Sequence, residues 1–122
     1  EDWITKYGGV GFDAIFSEND AMALGAIEAM NSAGIDAKAK VICGVDALYE
    51  GCMAIKEGYI DASSAQSSDD YANALIDRIE KLQSGEVDSH CVDDQIFNAL
   101  LVTQDNVDEM LARYAELGYD GQ

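Results

Sequence analysis

Polar side chains stand at three places in this sequence where an apolar, strand-like segment gives way to a helix-forming one. They are Asn19 after residues 12–16, Asp46 after residues 41–45, and Gln66 after residues 60–65. Carboxylates accept hydrogen bonds from hydroxyl groups, and carboxamides both accept and donate them, so adjacent hydroxyls could be held in pairs. The chemistry predicted from these three side chains is therefore the binding of a neutral, polyhydroxylated ligand such as a sugar.

Two of these residues have an ordinary alternative role. Asn and Asp at strand-to-helix turns also act as helix N-caps, because their side-chain oxygens accept from free N–H groups of the first helical turn. For Asn19 and Asp46 the spacing leaves capping and ligand contact both open. Gln66 has no comparable capping role.

The elements that must position these residues alternate between strand and helix patterns. Strand patterns fall at 12–16, 40–45, 60–65 and 96–102, and helical spacing occurs at 3–7, 21–33, 48–58, 72–85 and 107–117. Strands separated by helices of this length imply crossover connections and a largely parallel sheet. We predict an α/β fold of three layers, a mostly parallel, Rossmann-like sheet flanked by helices, with ligands met at the carboxyl ends of the strands.

The composition excludes several classes of partner. The chain of 122 residues has 24 acidic and seven basic side chains and a formal charge of −17. Nucleic acids are bound mainly through Lys and Arg contacts to phosphates, so we expect no nucleic-acid partner. No apolar run is long enough to predict a membrane span.

Other reactive residues do not form a recognisable catalytic or metal site. His90 lies in a polar connecting stretch, and the neighbouring metal-binding types match no calcium-loop spacing and mix hard with soft ligands; they are Asp88, His90, Cys91, Asp93 and Asp94. Cys43 and Cys52 lie in apolar patterns, which favours buried thiols over the alternative of a disulfide between them. We predict that the chain is not an enzyme and holds no metal or cofactor.

Three ordered blocks resemble the type I periplasmic sugar-binding proteins, the ribose- and galactose-binding group that serves bacterial ABC transporters. Phe12 to Ala26 resembles the family's strand, Asn-Asp turn and Met-Ala-Leu-Gly helix. Val41 to Asp46 resembles its strand ending in Gly-Phe-Asp, and Ala54 to Gln66 resembles the segment ending in Ala-Gln. The resemblance implies that Asn19, Asp46 and Gln66 contact the sugar.

The resemblance also implies an arrangement in two lobes that close on a sugar. By that analogy residues 1–122 are the carboxy-terminal part of the sugar-binding domain and an incomplete fold. Residues 1–66 would belong to the second lobe, 68–97 to a helix and strand of the first lobe, and 98–122 to a return segment. We expect the chain to hold half a site, to bind sugar weakly alone, and to favour self-association through exposed sheet edges.

Partners and location follow from the same resemblance. It implies a sugar or polyol ligand, the membrane permease of an ABC transporter, and an extracytoplasmic location in the periplasm or as a cell-surface lipoprotein. Val45 stands where many family members carry Phe, which leaves the sugar preference open. The alternative is the effector-binding core of a lactose-repressor-like regulator, which is disfavoured because such cores carry prolines near these strands and this chain has none.

Overall fold

The computed structural model describes residues 2–9, 11–88, 90 and 96–119. The described chain divides into two compact units, Glu1–Ala65 with Leu101–Gln122, and Gln66–Leu100. The helices are α1 (Asp2–Tyr7), α2 (Asp20–Ser32), α3 (Tyr49–Lys56), α4 (Ser68–Ser84) and α5 (Val107–Glu116), with a 3-10 turn at Ala37–Ala39. The strands are β1 (Ala14–Phe16), β2 (Val41–Val45), β3 (Ala62–Ala65) and β4 (Leu100–Thr103).

The four strands form one sheet in the order β1-β2-β3-β4. β1 pairs with β2 and β2 pairs with β3 in parallel, with Phe16 opposite Cys43 and Val45 opposite Ser64. The carboxyl ends of these three strands therefore lie at one edge of the sheet. The α/β fold with a mostly parallel sheet flanked by helices is confirmed.

The core of the first unit lies where α2 packs on β2, α3 packs on β3, and α5 packs on α3. Ala23, Ile27 and Met30 are spaced three or four residues apart, so they share one face of α2 and are buried together. Ile42 of β2 and Ile55 of α3 are fully buried. This packing holds α2 and α3 against the strands that follow them.

The second unit consists largely of α4. Its N-cap is Ser67, whose side chain accepts from Asp70 N, and its C-cap is Gly85, with φ of +74°. Its apolar stripe stays at least 38% exposed, at Leu75, Ile76, Ile79 and Leu82. Within the unit, the rings of Tyr71 and Phe97 pack with centroids 4.6 Å apart.

Most element predictions agree with the structure to within two or three residues. The strand predicted at 96–102 was too long, because β4 begins at Leu100 and residues 96–99 are not in a strand. An apolar run alone does not distinguish a strand from an extended connection, and Ile96 is 92% exposed. None of the described helices combines the length and the apolar character needed to cross a bilayer.

Candidate functional site

The turn after β1, residues 17–20, is closed by a local helix cap. Asn19 has extended backbone geometry, and its Oδ1 accepts a hydrogen bond from Met22 N at 2.9 Å. The capping role that the spacing allowed for Asn19 is therefore confirmed. Its role as a ligand contact stays a prediction, and the cap occupies only the oxygen of the carboxamide.

The turn after β2, residues 46–48, is built differently. Helix α3 has Leu48 at its N-cap position and no side-chain cap, so the capping alternative for Asp46 is wrong. Asp46 and Ala47 have φ of 92° and 47°, in the left-handed region that non-glycine residues rarely adopt. Asp46 is exposed at the carboxyl edge of the sheet, which is where the sequence predicted a ligand-binding side chain.

The 46–48 turn is held through its N–H groups by three neighbouring residues. Asp46 N donates to Ser64 O at 2.9 Å. Ala47 N donates to Ser63 Oγ at 3.0 Å, and Leu48 N donates to Asp20 Oδ2 at 2.9 Å. Each backbone donor of the turn is thus satisfied by a group outside it.

Ala47 is also held through its carbonyl. Tyr114 Oη donates to Ala47 O at 2.9 Å, and Cys52 Sγ donates to the same oxygen at 3.3 Å. Tyr114 packs edge-on against Tyr49, with ring centroids 5.7 Å apart. Helices α3 and α5 therefore each contribute one hydrogen bond to the carbonyl of the turn.

Asp20 is the centre of this arrangement. It is fully buried, and its Oδ1 accepts from Ser63 Oγ at 2.7 Å while Oδ2 accepts from Leu48 N. A Cβ added at Gly44 or Gly51 would collide with the carboxylate oxygens, so both glycines make room for it. The carboxylate is consequently bound on two sides and enclosed on two others.

Burial governs the ionisation of the groups around the turn. Burial raises the pKa of Asp20 above its ordinary value of 3.8; the hydrogen bonds from Ser63 and Leu48 oppose this shift, and the charge of Asp46 adds to it. Burial, with a smaller contribution from Asp20, raises the pKa of Cys52 to about 11. Cys52 therefore stays a thiol at neutral pH and serves as a hydrogen-bond donor.

Gln66 directly follows Ala65, the last residue of β3, and is the first residue of the second unit. It is exposed. Its place in the sequence is thus at the end of the third parallel strand, as predicted. Whether it contacts a ligand stays a prediction, as it does for Asn19 and Asp46.

An apolar cleft lies elsewhere in the first unit. Its volume is about 680 Å³, and side chains of α1, β1 and α2 line it, among them Trp3, Phe12, Phe16 and Met22. Neither Asn19 nor Asp46 lines this cleft. Its apolar walls offer few partners for a polyhydroxylated ligand.

The cysteine and metal predictions have separate outcomes. Cys43 and Cys52 are free, so the alternative of a disulfide between them is wrong. In residues 2–9, 11–88, 90 and 96–119, no three His, Cys, Asp or Glu side chains gather as metal ligands would. Of the disfavoured metal set, Asp88 accepts from His90 N at 2.7 Å, and the other three residues lie outside the described part of the chain.

Reasoning from the sequence missed Asp20 and Ser63. Asp20 reads as an acidic residue of the first helical turn, and Ser63 as a polar residue in a strand. The available signal was Gly44, since a glycine inside an apolar strand indicates that another group approaches the backbone closely. What approaches is the Asp20 carboxylate.

Comparison with known proteins gives consistent results. The family described as periplasmic binding protein domain matches residues 1–86. A putative rhizopine-binding protein of Rhizobium meliloti is 36% identical over 85 residues, which are 70% of this chain and 27% of that protein. A xylitol-binding protein of Mycolicibacterium smegmatis is 30% identical over 108 residues, 88% of this chain and 29% of that protein.

A solved structure extends the comparison to the fold. The Caulobacter myo-inositol binding protein bound to myo-inositol matches with a TM-score of 0.74 and 28% identity, over 92% of this chain and 38% of that chain. The chain thus spans between about a quarter and two-fifths of the length of these relatives. All three are binding proteins by name, not enzymes.

Proposed function

The chain belongs to the periplasmic binding protein domain family, and on that basis we propose that it is part of a protein that binds a sugar or related polyol. The ligand would lie at the carboxyl edge of β1, β2 and β3. Asp46 would accept hydrogen bonds from one or two hydroxyls, Asn19 would donate through its NH2 group, and Gln66 would both donate and accept. The relatives named above give no support to the repressor-like alternative.

The observation that carries the proposal is the exposed carboxylate of Asp46 on a turn held by backbone hydrogen bonds. Left-handed non-glycine residues cost about 1–3 kcal/mol each and persist where the surrounding structure holds them, often at functional sites. Asn19 lies in the turn after the adjacent strand β1, and its cap uses Oδ1, so its NH2 group is available to donate to a ligand hydroxyl. A charged acceptor beside an amide suits vicinal hydroxyls.

The charge of the chain supports a neutral ligand. The formal net charge is −17, and Asp46 faces the edge at which the ligand would lie. A phosphorylated sugar is an anion, so the negative charge of the chain would repel it. We therefore place neutral sugars and polyols, and not sugar phosphates, in the ligand class.

The larger assembly follows from the family. We propose that residues 1–66 belong to the second lobe, that 68–97 supply a helix and strand of the first lobe, and that 98–122 form a return segment. The remainder of the first lobe would complete the cleft and supply aromatic surfaces for the sugar faces. The complete protein would work outside the cytoplasm and deliver its ligand to the permease of an ABC transporter. Self-association of this chain stays a prediction, supported by the exposed stripe of α4.

The test is an NMR titration of the 122-residue chain with D-ribose, xylitol and myo-inositol, in separate series. Half a site is expected to bind weakly, with a Kd on the order of millimolar, which such titrations detect. We expect one of the three to shift the backbone amides of Asn19, Asp46 and Gln66. D-ribose 5-phosphate at the same concentration serves as the matched control and should leave these amides in place.

Two results would contradict the proposal. If all three neutral compounds leave the amides of the edge unchanged at saturating concentration, the ligand class is wrong. If a compound instead shifts Trp3, Phe16 and Met22, then the apolar cleft binds it and the edge does not.

A further inference from the structure

We propose that Asp20 is a positioning residue of the binding edge, by which we mean the carboxyl edge of β1, β2 and β3 where the ligand would lie. Its buried carboxylate holds the 46–48 turn in its left-handed conformation and thereby places the Asp46 carboxylate. The inference concerns a side chain that cannot itself reach a ligand, because Asp20 is fully buried. It rests on the proposed function only where Asp46 is taken as the ligand contact.

The hydrogen bonds of the turn support this role. Asp20 binds Leu48 N directly, and it binds Ala47 N through the hydroxyl of Ser63, which donates to Asp20 and accepts from Ala47. One carboxylate thus fixes two consecutive amides of the turn. Leu48 is the N-cap residue of α3, and Gly51 at N3 has no side chain to accept from Leu48 N as in a capping box. Asp20 provides that acceptor.

The surrounding packing shows that the carboxylate is closely fitted. Gly44 in β2 and Gly51 in α3 both lie against its oxygens, and any side chain at either position would collide with them. A buried acceptor with two donors and no spare space has essentially one orientation. The direction of the turn, and of the Asp46 side chain at its start, follows from that orientation.

The experiment compares Asp20→Asn with Asp61→Asn in the full 122-residue chain. A carboxamide offers one acceptor oxygen, so it cannot satisfy both Ser63 Oγ and Leu48 N as the carboxylate does. Asp61 is the matched control, because its Oδ2 accepts from Ile42 N at 2.7 Å near the opposite end of β2. Each variant therefore weakens one carboxylate-to-backbone hydrogen bond, but only one of them touches the turn.

The first measurement needs no ligand. Amide hydrogen exchange at Ala47 and Leu48 is read relative to core amides of β2 in the same variant, which removes the effect of global unfolding. We expect Asp20→Asn to accelerate exchange at both amides by about tenfold or more. Asp61→Asn should accelerate exchange at Ile42 and leave Ala47 and Leu48 protected.

The second measurement is the affinity for whichever of D-ribose, xylitol and myo-inositol the wild-type chain binds. We expect Asp20→Asn to weaken binding about tenfold, and Asp61→Asn to leave it unchanged. If Asp20→Asn does not fold, Ser63→Ala replaces it, since that variant removes the acceptor of Ala47 N and one donor to Asp20.

The outcomes separate the two proposals. Protected Ala47 and Leu48 amides in a folded Asp20→Asn variant would overturn the positioning role, whatever the ligand. Accelerated exchange with unchanged affinity would overturn the link from Asp20 to the binding edge. If the wild-type chain binds none of the three compounds, the proposed function fails, and the exchange data still decide whether Asp20 holds the turn.

Discussion

The turns after β1 and β2 both connect the carboxyl end of a strand to a helix, but they are stabilised by different kinds of hydrogen bond. The 17–20 turn is closed by one hydrogen bond to a backbone N–H three residues away, between Asn19 and Met22. The 46–48 turn has no side-chain cap; apart from Cys52, five residues away, its side-chain partners lie 16, 28 and 67 residues away along the chain. One turn is a local structure, and the other is a product of tertiary packing.

The difference shows how a side chain becomes available for binding. Asn19 closes its own helix, so part of its hydrogen-bonding capacity is used within the turn. Asp46 is not the N-cap residue of α3, and buried residues of α2, β3, α3 and α5 hold its turn. The second turn therefore has an exposed carboxylate at Asp46, together with a strained backbone at Asp46 and Ala47 and a buried acid at Asp20.

The largest expected effect comes from exchanging glycine for alanine in the two helices that follow these turns. Gly51→Ala should lower the free energy of unfolding by about 2–3 kcal/mol, because the new methyl group displaces the Asp20 carboxylate. Gly25→Ala in α2 is the matched control, since no heavy atom lies near its Cβ position. It should raise stability by about 1 kcal/mol through helix propensity.

Urea unfolding followed by circular dichroism measures both glycine variants. Changes of the same sign would contradict the view that the second turn depends on a closely fitted acid and the first does not.

The next effect separates stability from binding at the two turns. Asp46→Gly should weaken affinity for the bound sugar or polyol about tenfold, because a charge-assisted acceptor is lost. The backbone strain of the turn should be relieved, since glycine adopts a φ of 92° without strain. Asn19→Ala should cost about 1 kcal/mol of stability through the lost cap.

Calorimetric titration and thermal melting of the same samples test this pair. If Asp46→Gly destabilises the chain as much as Asn19→Ala does and binds as tightly as the wild type, the contrast between the turns is wrong.

The smallest expected effect is a pH dependence carried by Asp20. Its pKa is raised in the folded state, so the folded chain holds this proton more tightly than the unfolded chain does. The resulting contribution to stability is complete below the ordinary pKa of 3.8 and is lost as pH rises through the folded pKa. The stability of the wild type relative to Asp20→Asn should therefore decrease as pH rises from about 4 to about 7.

Unfolding free energies of both proteins at several pH values across that range test this expectation. The difference cancels the titration of the other carboxylates. A difference that increases with pH would mean that Asp20 is stabilised as a carboxylate by its hydrogen bonds more than burial opposes it.

Much of the fold followed from local patterns. The spacing of Ala23, Ile27 and Met30 predicted the buried face of α2, and the apolar run at 41–45 predicted β2. Periodicity identifies such elements because burial acts on one face of a helix or strand. The run at 96–102 was the exception, since exposed apolar residues there do not extend β4 before Leu100.

The candidate site was predicted less completely. Parallel topology predicted Asn19, Asp46 and Gln66 after the ends of successive strands, and their joint role as ligand contacts stays a prediction. Whether Asp46 was a cap was not accessible, because Asp suits both roles. The importance of Asp20 was hidden as well, since an acid in the first turn of a helix is ordinarily exposed.

What the sequence by itself determined was the order of strands and helices, the parallel sheet, and the polar residues at its carboxyl edge. These depend on residue types within a few positions of one another. Only the tertiary structure decided which polar residue caps a helix, which is buried, and which faces outward. Those outcomes depend on groups far apart in the chain, as when Gly44 and Gly51 open the space that Asp20 fills. Hydrogen bonds and close packing act through space, and local sequence does not record their partners.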